Sequence, residues 1–388
     1  MSLTDSLFVF VGGLVLMLVL ALLRRRSPGL VVTAHRLACS LVFGILLLEA
    51  GLRLFPGLLK GELANFTYGG YHHQAGGIYT GHPNLAHALR AGYGRTIYWS
   101  GHWWRHDANA GGFRGPMLEK ADVVFLGDSM IYGHGVDNDQ TVSAQFQQLT
   151  GKPSANLGVQ AYSAVHNALQ FDRLGVPLRP RYVLLCCHPN DMIEVILNYP
   201  AEEVERYLSA EPAYSVKPIA RGQGKTDGLR EFRLAWGQHV SLPLRSARAI
   251  SGLFRLIAAR GAQAAANEAE EDWVLPSQAS IDEPFDPRAD EQTELTWRAY
   301  QYAIAQIKSR CDELGAKLIV FDLGYPTAFC DATRDYVQSI GAQYSDAGRQ
   351  VLRAGLDGEH VYLKNDGHWT PLGCRLIAEA LAKAIEGE

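Results

Sequence analysis

Apolar and polar positions follow three rhythms along the chain. The first is continuous. Leu7 to Leu23 is seventeen residues without a charge, which as a helix reaches roughly 25 Å, slightly short of a bilayer core. Arg24, Arg25 and Arg26 follow at once and can snorkel to the interface. A second run, Leu37 to Phe55, is interrupted only by Glu49 and Arg53, spaced to pair on one helix face. The pattern predicts a membrane anchor of two transmembrane helices over residues 1–55. Met1 to Ser6 carries only Asp5, so the basic start of a cleaved signal peptide is missing and an uncleaved anchor is expected. The positive-inside rule keeps the loop with Arg24, Arg25, Arg26 and Arg36 in the cytoplasm and puts the remaining ~330 residues outside. If the second run lies only in the interface, those residues face the cytoplasm instead.

The second rhythm, over residues 56–120, is short and aromatic. Tyr68–Gly–Gly–Tyr71 and Tyr98–Trp99–Ser–Gly–His–Trp103–Trp104 alternate rings with glycine, which predicts a β-like cap of strands and turns. Its rings can pack on the main domain or stack on sugars. The third rhythm begins at Asp122. Val123–Leu126, Ala155–Val159, Tyr182–Cys187 and Leu318–Phe321 are short apolar runs that read as buried strands. Helical stripes lie between and after them. Tyr300, Ile304, Ile307, Cys311 and Leu314 form one, stopped by Gly315, and Leu376, Ile377, Ala380, Leu381, Ala384 and Ile385 form the last. Strands alternating with helices predict an α/β domain over 121–388, its parallel sheet covered on both faces, with ligands bound beyond the carboxyl ends of the strands. Between about 199 and 290 the rhythm fails, as in a helical insertion. There Leu244, Ala247, Ile250, Leu253, Phe254 and Ile257 share a face among arginines, a helix suited either to the active-site face or to a lipid surface.

Composition narrows the function classes. The 388 residues carry a formal net charge of −4, so no nucleic-acid partner is expected. Six cysteines are too few for a disulfide scaffold. Cys39 falls in the second apolar run, and Cys186 and Cys187 are strand neighbours facing opposite sides. Buried free thiols are the default, with a Cys311–Cys330 or Cys330–Cys374 bond left open. No C-x-x-C pair occurs, and no metal site is expected.

Four short segments carry chemistry. Gly127–Asp128–Ser129 ends the strand Val123–Leu126, which would expose a serine hydroxyl at the sheet edge; Met130 and Ile131 exclude the G-x-S-x-G elbow. Alone, such a tripeptide is an ordinary turn. Near the other end stand Asp366–Gly–His368–Trp369, then Thr370 and Pro371, which read as the N-cap and first residue of the last helix. Residues i and i+2 of an extended loop point the same way. Asp366 can then hold Nδ1 of His368, leaving Nε2 to take a proton from Ser129. Asn156–Leu–Gly158 ends the second strand, where Gly158 can offer a bare N–H. Asn190, in His188–Pro–Asn190–Asp191 after the third strand, can offer an amide; with the Ser129 N–H these form a candidate oxyanion hole. Singly, each reads equally well as a loop residue.

In this order the four segments resemble the SGNH, or GDSL, hydrolase family. The resemblance covers about 121–198 and 290–388. It implies a flavodoxin-like three-layer α/β/α sandwich with a parallel sheet, a catalytic Ser129–His368–Asp366 triad, an oxyanion hole of Ser129, Gly158 and Asn190, and no cofactor. Asn109–Ala–Gly–Gly–Phe113–Arg114–Gly is similar to a segment before the nucleophile in membrane-anchored members. His188 departs from the family, which usually has glycine there; it reads as a loop-packing or substrate-contacting residue. Trp369 after the histidine is similar to SGNH proteins that O-acetylate secreted polysaccharides. The expectation is therefore an esterase in a bacterial inner membrane, its catalytic domain extracytoplasmic, acting on acylated carbohydrate or lipid. Alternatives are an O-acetyltransferase, partnered by a membrane acyltransferase, and a non-catalytic envelope binding protein.

Overall fold

The buried runs read from the sequence pair into a single sheet. The computed structural model describes residues 30–69, 77–209, 216–218, 245–246, 248–250, 253, 285–364 and 366–386. In chain order the elements used below are α1 (Leu30–Leu54), β1 (Tyr79–His82), β2 (Ala86–Leu89), β3 (Gly94–Trp99), β4 (His102–Asp107), β5 (Val123–Leu126), α2 (Ser129–Tyr132), α3 (Val142–Thr150), β6 (Ser154–Asn156), α4 (Ala164–Gln170), β7 (Tyr182–Cys187), α5 (Asn190–Asn198) and α6 (Ala201–Ser209). After the insertion come α7 (Glu291–Leu314), β8 (Lys317–Asp322), α8 (Ala328–Ser339), β9 (Gln343–Ser345), α9 (Gly348–Leu356) and α10 (Pro371–Glu386). The chain divides into two compact units: Met1–Gly77, Arg95–His102 and Gly224–Glu270 in one, Ile78–Gly94, Trp103–Gln223 and Glu271–Glu388 in the other.

In the second unit the sheet order is β6-β5-β7-β8-β9, and every pairing is parallel. In sequence terms the order is 2-1-3-4-5, the doubly wound arrangement of flavodoxin, whose switch point lies between the first and third strands. Because strand side chains alternate, each run feeds two cores. Val124, Leu126, Val183, Leu185, Leu318 and Val320 pack with Val165 of α4 and Tyr300, Ile304 and Ile307 of α7. Val123, Phe125, Leu184, Cys186, Ile319 and Phe321 pack with Phe146 of α3 and Ile377 and Leu381 of α10. Each such fully buried side chain contributes about 1.5–3 kcal/mol. Of the stripe predicted on α7, Tyr300, Ile304, Ile307 and Cys311 are buried and Leu314 is partly so, and Gly315, at φ +67°, ends that helix. The described cysteines are all free thiols.

The first unit has its own small core of Leu52, Ala64, Tyr68 and Tyr98. Glu49 and Arg53 pair on α1 at 2.6 Å, as the spacing predicts. Glu49 is also buried and accepts from the Ser246 N–H at 2.7 Å and the Ser246 hydroxyl at 2.8 Å. Among the described residues no helix is long and apolar enough to cross a membrane. The expectation of a second transmembrane helix at Leu37–Phe55 is therefore unsupported: α1 covers that run to Leu54, and its far end seats a carboxylate on protein groups. The first expected span, Leu7–Leu23, lies outside the described residues, as does most of the 199–290 insertion. Residues 56–69 also differ from the strands and turns expected there. They form short helical turns, in which the Thr67 hydroxyl donates to the Leu63 carbonyl at 2.6 Å.

Candidate active site

Strand β5 runs straight into the serine. Asp128 caps α2, its side chain accepting the Met130 N–H at 2.9 Å, so the four-residue helix begins at Ser129 on the carboxyl edge of the sheet. Gly158, just beyond β6, packs on the same turn. A Cβ there would lie 2.5 Å from the Tyr132 nitrogen and 2.8 Å from the Ile131 carbonyl carbon, so only glycine fits. Its N–H donates to the Asn156 side-chain oxygen at 3.1 Å. That N–H is therefore engaged in this structure. Asn190 opens α5 beyond β7, with its side chain exposed and its N–H on Nδ1 of His188 at 3.1 Å. Burial lowers His188 below the ordinary imidazole value, Asp128 opposes this and His368 adds to it; His188 thus feels the charges of this site.

The acid and histidine come from a loop closed on itself. Tyr362 and Trp369 form an antiparallel bridge, and the Leu363 N–H donates to the His368 carbonyl at 2.8 Å. Thr370 caps α10 through the Gly373 N–H at 3.3 Å, and Trp369 is buried beneath. Gly135 (φ +83°), a conformation that favours glycine, is approached closely by the Leu363 side chain, so the loop lies against the turn after α2.

The structure brings Ser129, His368 and Asp366 together. His368 Nε2 stands 2.7 Å from Ser129 Oγ. On its other side Nδ1 bonds Asp366 Oδ1, and the His368 backbone N–H donates to the same oxygen at 3.1 Å. Burial alone would raise the Asp366 carboxyl, but hydrogen bonds from His134 and His368 outweigh it and hold the group well below the usual carboxylate range. Asp366 is therefore an anion at neutral pH, fit to orient an imidazole and to stabilise the imidazolium.

Sequence reasoning missed His134, Gln160 and Arg114 as contributors here. His134 Nε2 lies 3.5 Å from Asp366 Oδ2, and its ring stacks on that of His368 with centroids 4.3 Å apart. Gln160 bonds His134 Nδ1. Arg114, almost wholly buried, donates to the carbonyls of Tyr132, Gly133, Val136 and Arg105 at 2.7 to 3.0 Å. The segment around Arg114 had stood out only by resemblance, and nothing in spacing alone ties residue 134 to 366. His134, Asp366 and His368 are also close enough together to hold a metal ion, though the atoms that face one another are already spent on mutual contacts.

Over residues 323–388 the chain matches the family model described as SGNH hydrolase-like domain, acetyltransferase AlgX. That stretch contains Asp366, His368 and Trp369. No curated protein matches the chain. Among solved structures, a lipolytic protein of the G-D-S-L family from Desulfitobacterium hafniense is similar at 12% identity, covering 68% of this chain and 99% of its own, with a TM-score of 0.38. A catalytic mutant of Axe2, an acetylxylan esterase from Geobacillus stearothermophilus, is similar at 9% identity, covering 70% of this chain and 97% of its own, with a TM-score of 0.35. Likenesses at such scores carry no argument about activity.

Proposed function

From the premise that the chain carries an SGNH hydrolase-like domain, we propose that it is a serine acyl-transfer enzyme that cleaves O-acyl esters of an extracytoplasmic carbohydrate or lipid, with O-acetyl groups the favoured acyl class. The observation that carries the reading is the 2.7 Å approach of His368 Nε2 to Ser129 Oγ, with Asp366 on the far side of the ring. Such a relay makes a weak nucleophile strong. Ser129 Oγ attacks the ester carbonyl while its proton passes to His368 Nε2, and Asp366 stabilises the imidazolium so formed. The tetrahedral oxyanion is held by the Ser129 N–H and the Asn190 amide, with the Gly158 N–H, which rests on the Asn156 side chain in this structure, as the third donor of the proposed hole. Collapse expels the alcohol, which takes the proton from His368 and leaves an acyl-serine. Water then attacks, with His368 again as base. No cofactor enters these steps.

The test is Ser129→Ala. The variant loses labelling by a fluorophosphonate probe and loses ester turnover, and labelling at the wild-type rate would remove Ser129 as nucleophile. A second reading keeps the acyl-serine but passes the acyl group to a sugar hydroxyl. It is favoured by the family model, whose description names an acetyltransferase, and by Trp369 beside His368. Transfer to an oligosaccharide acceptor faster than hydrolysis supports it, and hydrolysis with every acceptor tried counts against it. A purely binding role fits poorly with a serine and histidine already within bonding reach. Attachment to a bacterial inner membrane, the catalytic domain outside, is part of the same proposal. It rests on Leu7–Leu23 with its three arginines and on Leu41, Phe43 and Leu47 of α1, which are 66, 53 and 57% exposed. Extraction of the full chain by alkaline carbonate without detergent would argue against it.

A further inference from the structure

A polar chain runs inward from the acid of the relay, from Asp366 through His134 and Gln160 to Tyr79. Tyr79 of β1 gives its hydroxyl proton to the Gln160 side-chain oxygen. The Gln160 amide nitrogen donates to His134 Nδ1, which leaves the proton of the neutral ring on Nε2. That nitrogen faces Asp366 Oδ2 at 3.5 Å, while Oδ1 is held by His368. The two carboxylate oxygens are thus each claimed by a different imidazole. Gln160 is fixed in turn by His87, whose Nε2 lies 2.9 Å from the Gln160 carbonyl. All these residues belong to the second unit.

We propose that His134 is a positioning residue for the relay: its Nε2–H holds the second oxygen of Asp366 and so fixes the carboxylate plane that orients His368. The role rests on the acyl-serine reading above. His134 is almost wholly buried, its ring between Trp104 at 4.7 Å and His368 at 4.3 Å. A buried imidazole beside another that must become cationic is useful only if it stays neutral. Burial does this, lowering His134 to about 4, with His368 and Arg114 acting the same way against the pull of Asp366. Arg114 is the other charge facing this ring; it also bonds the Tyr132, Gly133 and Val136 carbonyls, fixing the backbone on either side of His134. Asp366 therefore receives a dipole from His134 without a second cation beside His368.

His134→Phe keeps a ring for both stacking partners and removes the N–H. The expected result is a kcat lowered about tenfold or more, with KM for a small acetyl ester within twofold of wild type. The acid limb of kcat/KM moves to higher pH, because a carboxylate stripped of a donor holds an imidazolium more firmly. His134→Gln, which can still donate, recovers a large part of kcat. A His134→Phe enzyme with unchanged kcat and pH profile, or one impaired only in KM, overturns the proposal. A measurement on the wild-type protein stands apart from turnover and from the folding of any variant. ¹⁵N-histidine NMR at neutral pH is expected to find His134 protonated at Nε2 and bare at Nδ1; the opposite tautomer overturns the proposal. Failure of the acyl-serine reading is seen separately, as labelling of Ser129→Ala at the wild-type rate.

Discussion

Replacing Asp366 by asparagine is the most exacting perturbation of the relay, because it changes charge with almost no change of shape. Asp366 is 8% exposed; its Oδ1 is bonded by the His368 ring, and its Oδ2 faces the His134 ring at 3.5 Å. An amide has one acceptor and one donor. Whichever way the substituted amide is seated, its NH₂ group faces an imidazole nitrogen that carries a proton in the wild type. If it faces His368, the ring must move its proton to Nε2, and Nε2 can no longer accept from Ser129. If it faces His134, that ring must change tautomer against the donor of Gln160, or the loop must shift. In both seatings the anion that stabilises the imidazolium is gone. Loss of this acid in serine-hydrolase triads costs about 10⁴-fold in kcat, or about 5.4 kcal/mol of transition-state stabilisation at 1.36 kcal/mol per decade. The assay is kcat/KM on p-nitrophenyl acetate together with the rate of fluorophosphonate labelling, and thermal unfolding checks that the variant is folded. A folded Asp366→Asn protein that loses less than tenfold, while Ser129→Ala is inactive, would refute the assignment of the relay.

Three further outcomes are expected. Gly158→Ala places a methyl group 2.5 Å from the Tyr132 nitrogen. Chemical denaturation should find it about 1–3 kcal/mol less stable, with kcat reduced as α2 is displaced; a change below 0.5 kcal/mol, roughly the noise of an innocuous surface substitution, would contradict the packing. Arg114→Met removes a buried guanidinium that serves four backbone carbonyls, and an unfolding free energy lower by about 3 kcal/mol or more is expected. The third is pH-linked. His134 is lowered from 6.5 to about 4 when folded, so between these values the unfolded chain binds the extra proton and stability falls as the pH falls. This interval corresponds to about 3 kcal/mol, and the slope should vanish in His134→Phe. Asp366, whose depressed carboxyl adds stability above its unfolded value of 3.8, extends the loss to still lower pH in the same direction; equal melting curves for wild type and His134→Phe from pH 7 to 4 would refute the His134 part.

Local patterns determined much of this protein. The runs at Val123–Leu126, Tyr182–Cys187 and Leu318–Phe321 are continuous and apolar because parallel strands are buried on both faces, so they could be read without knowing their partners. Gly315 and Thr370 mark helix ends because caps are satisfied within a few residues. Ser129, Asp366 and His368 were legible because each stands beside such a boundary in a short motif. Tertiary structure alone decided the rest. The second apolar run looked like a membrane span by composition, yet Glu49 at its far end is satisfied by Ser246, nearly two hundred residues away. That the Gly158 N–H meets the Asn156 side chain two residues earlier is likewise visible only in the fold. His134 was silent in sequence, since five residues beyond a serine is no signature of anything. Its contact with Asp366 exists because the loop between α9 and α10 comes back to the turn that follows β5, and because Gly135 lets Leu363 lie close. Periodicity reports which side of an element is buried; only the assembled fold reports which buried polar atoms meet.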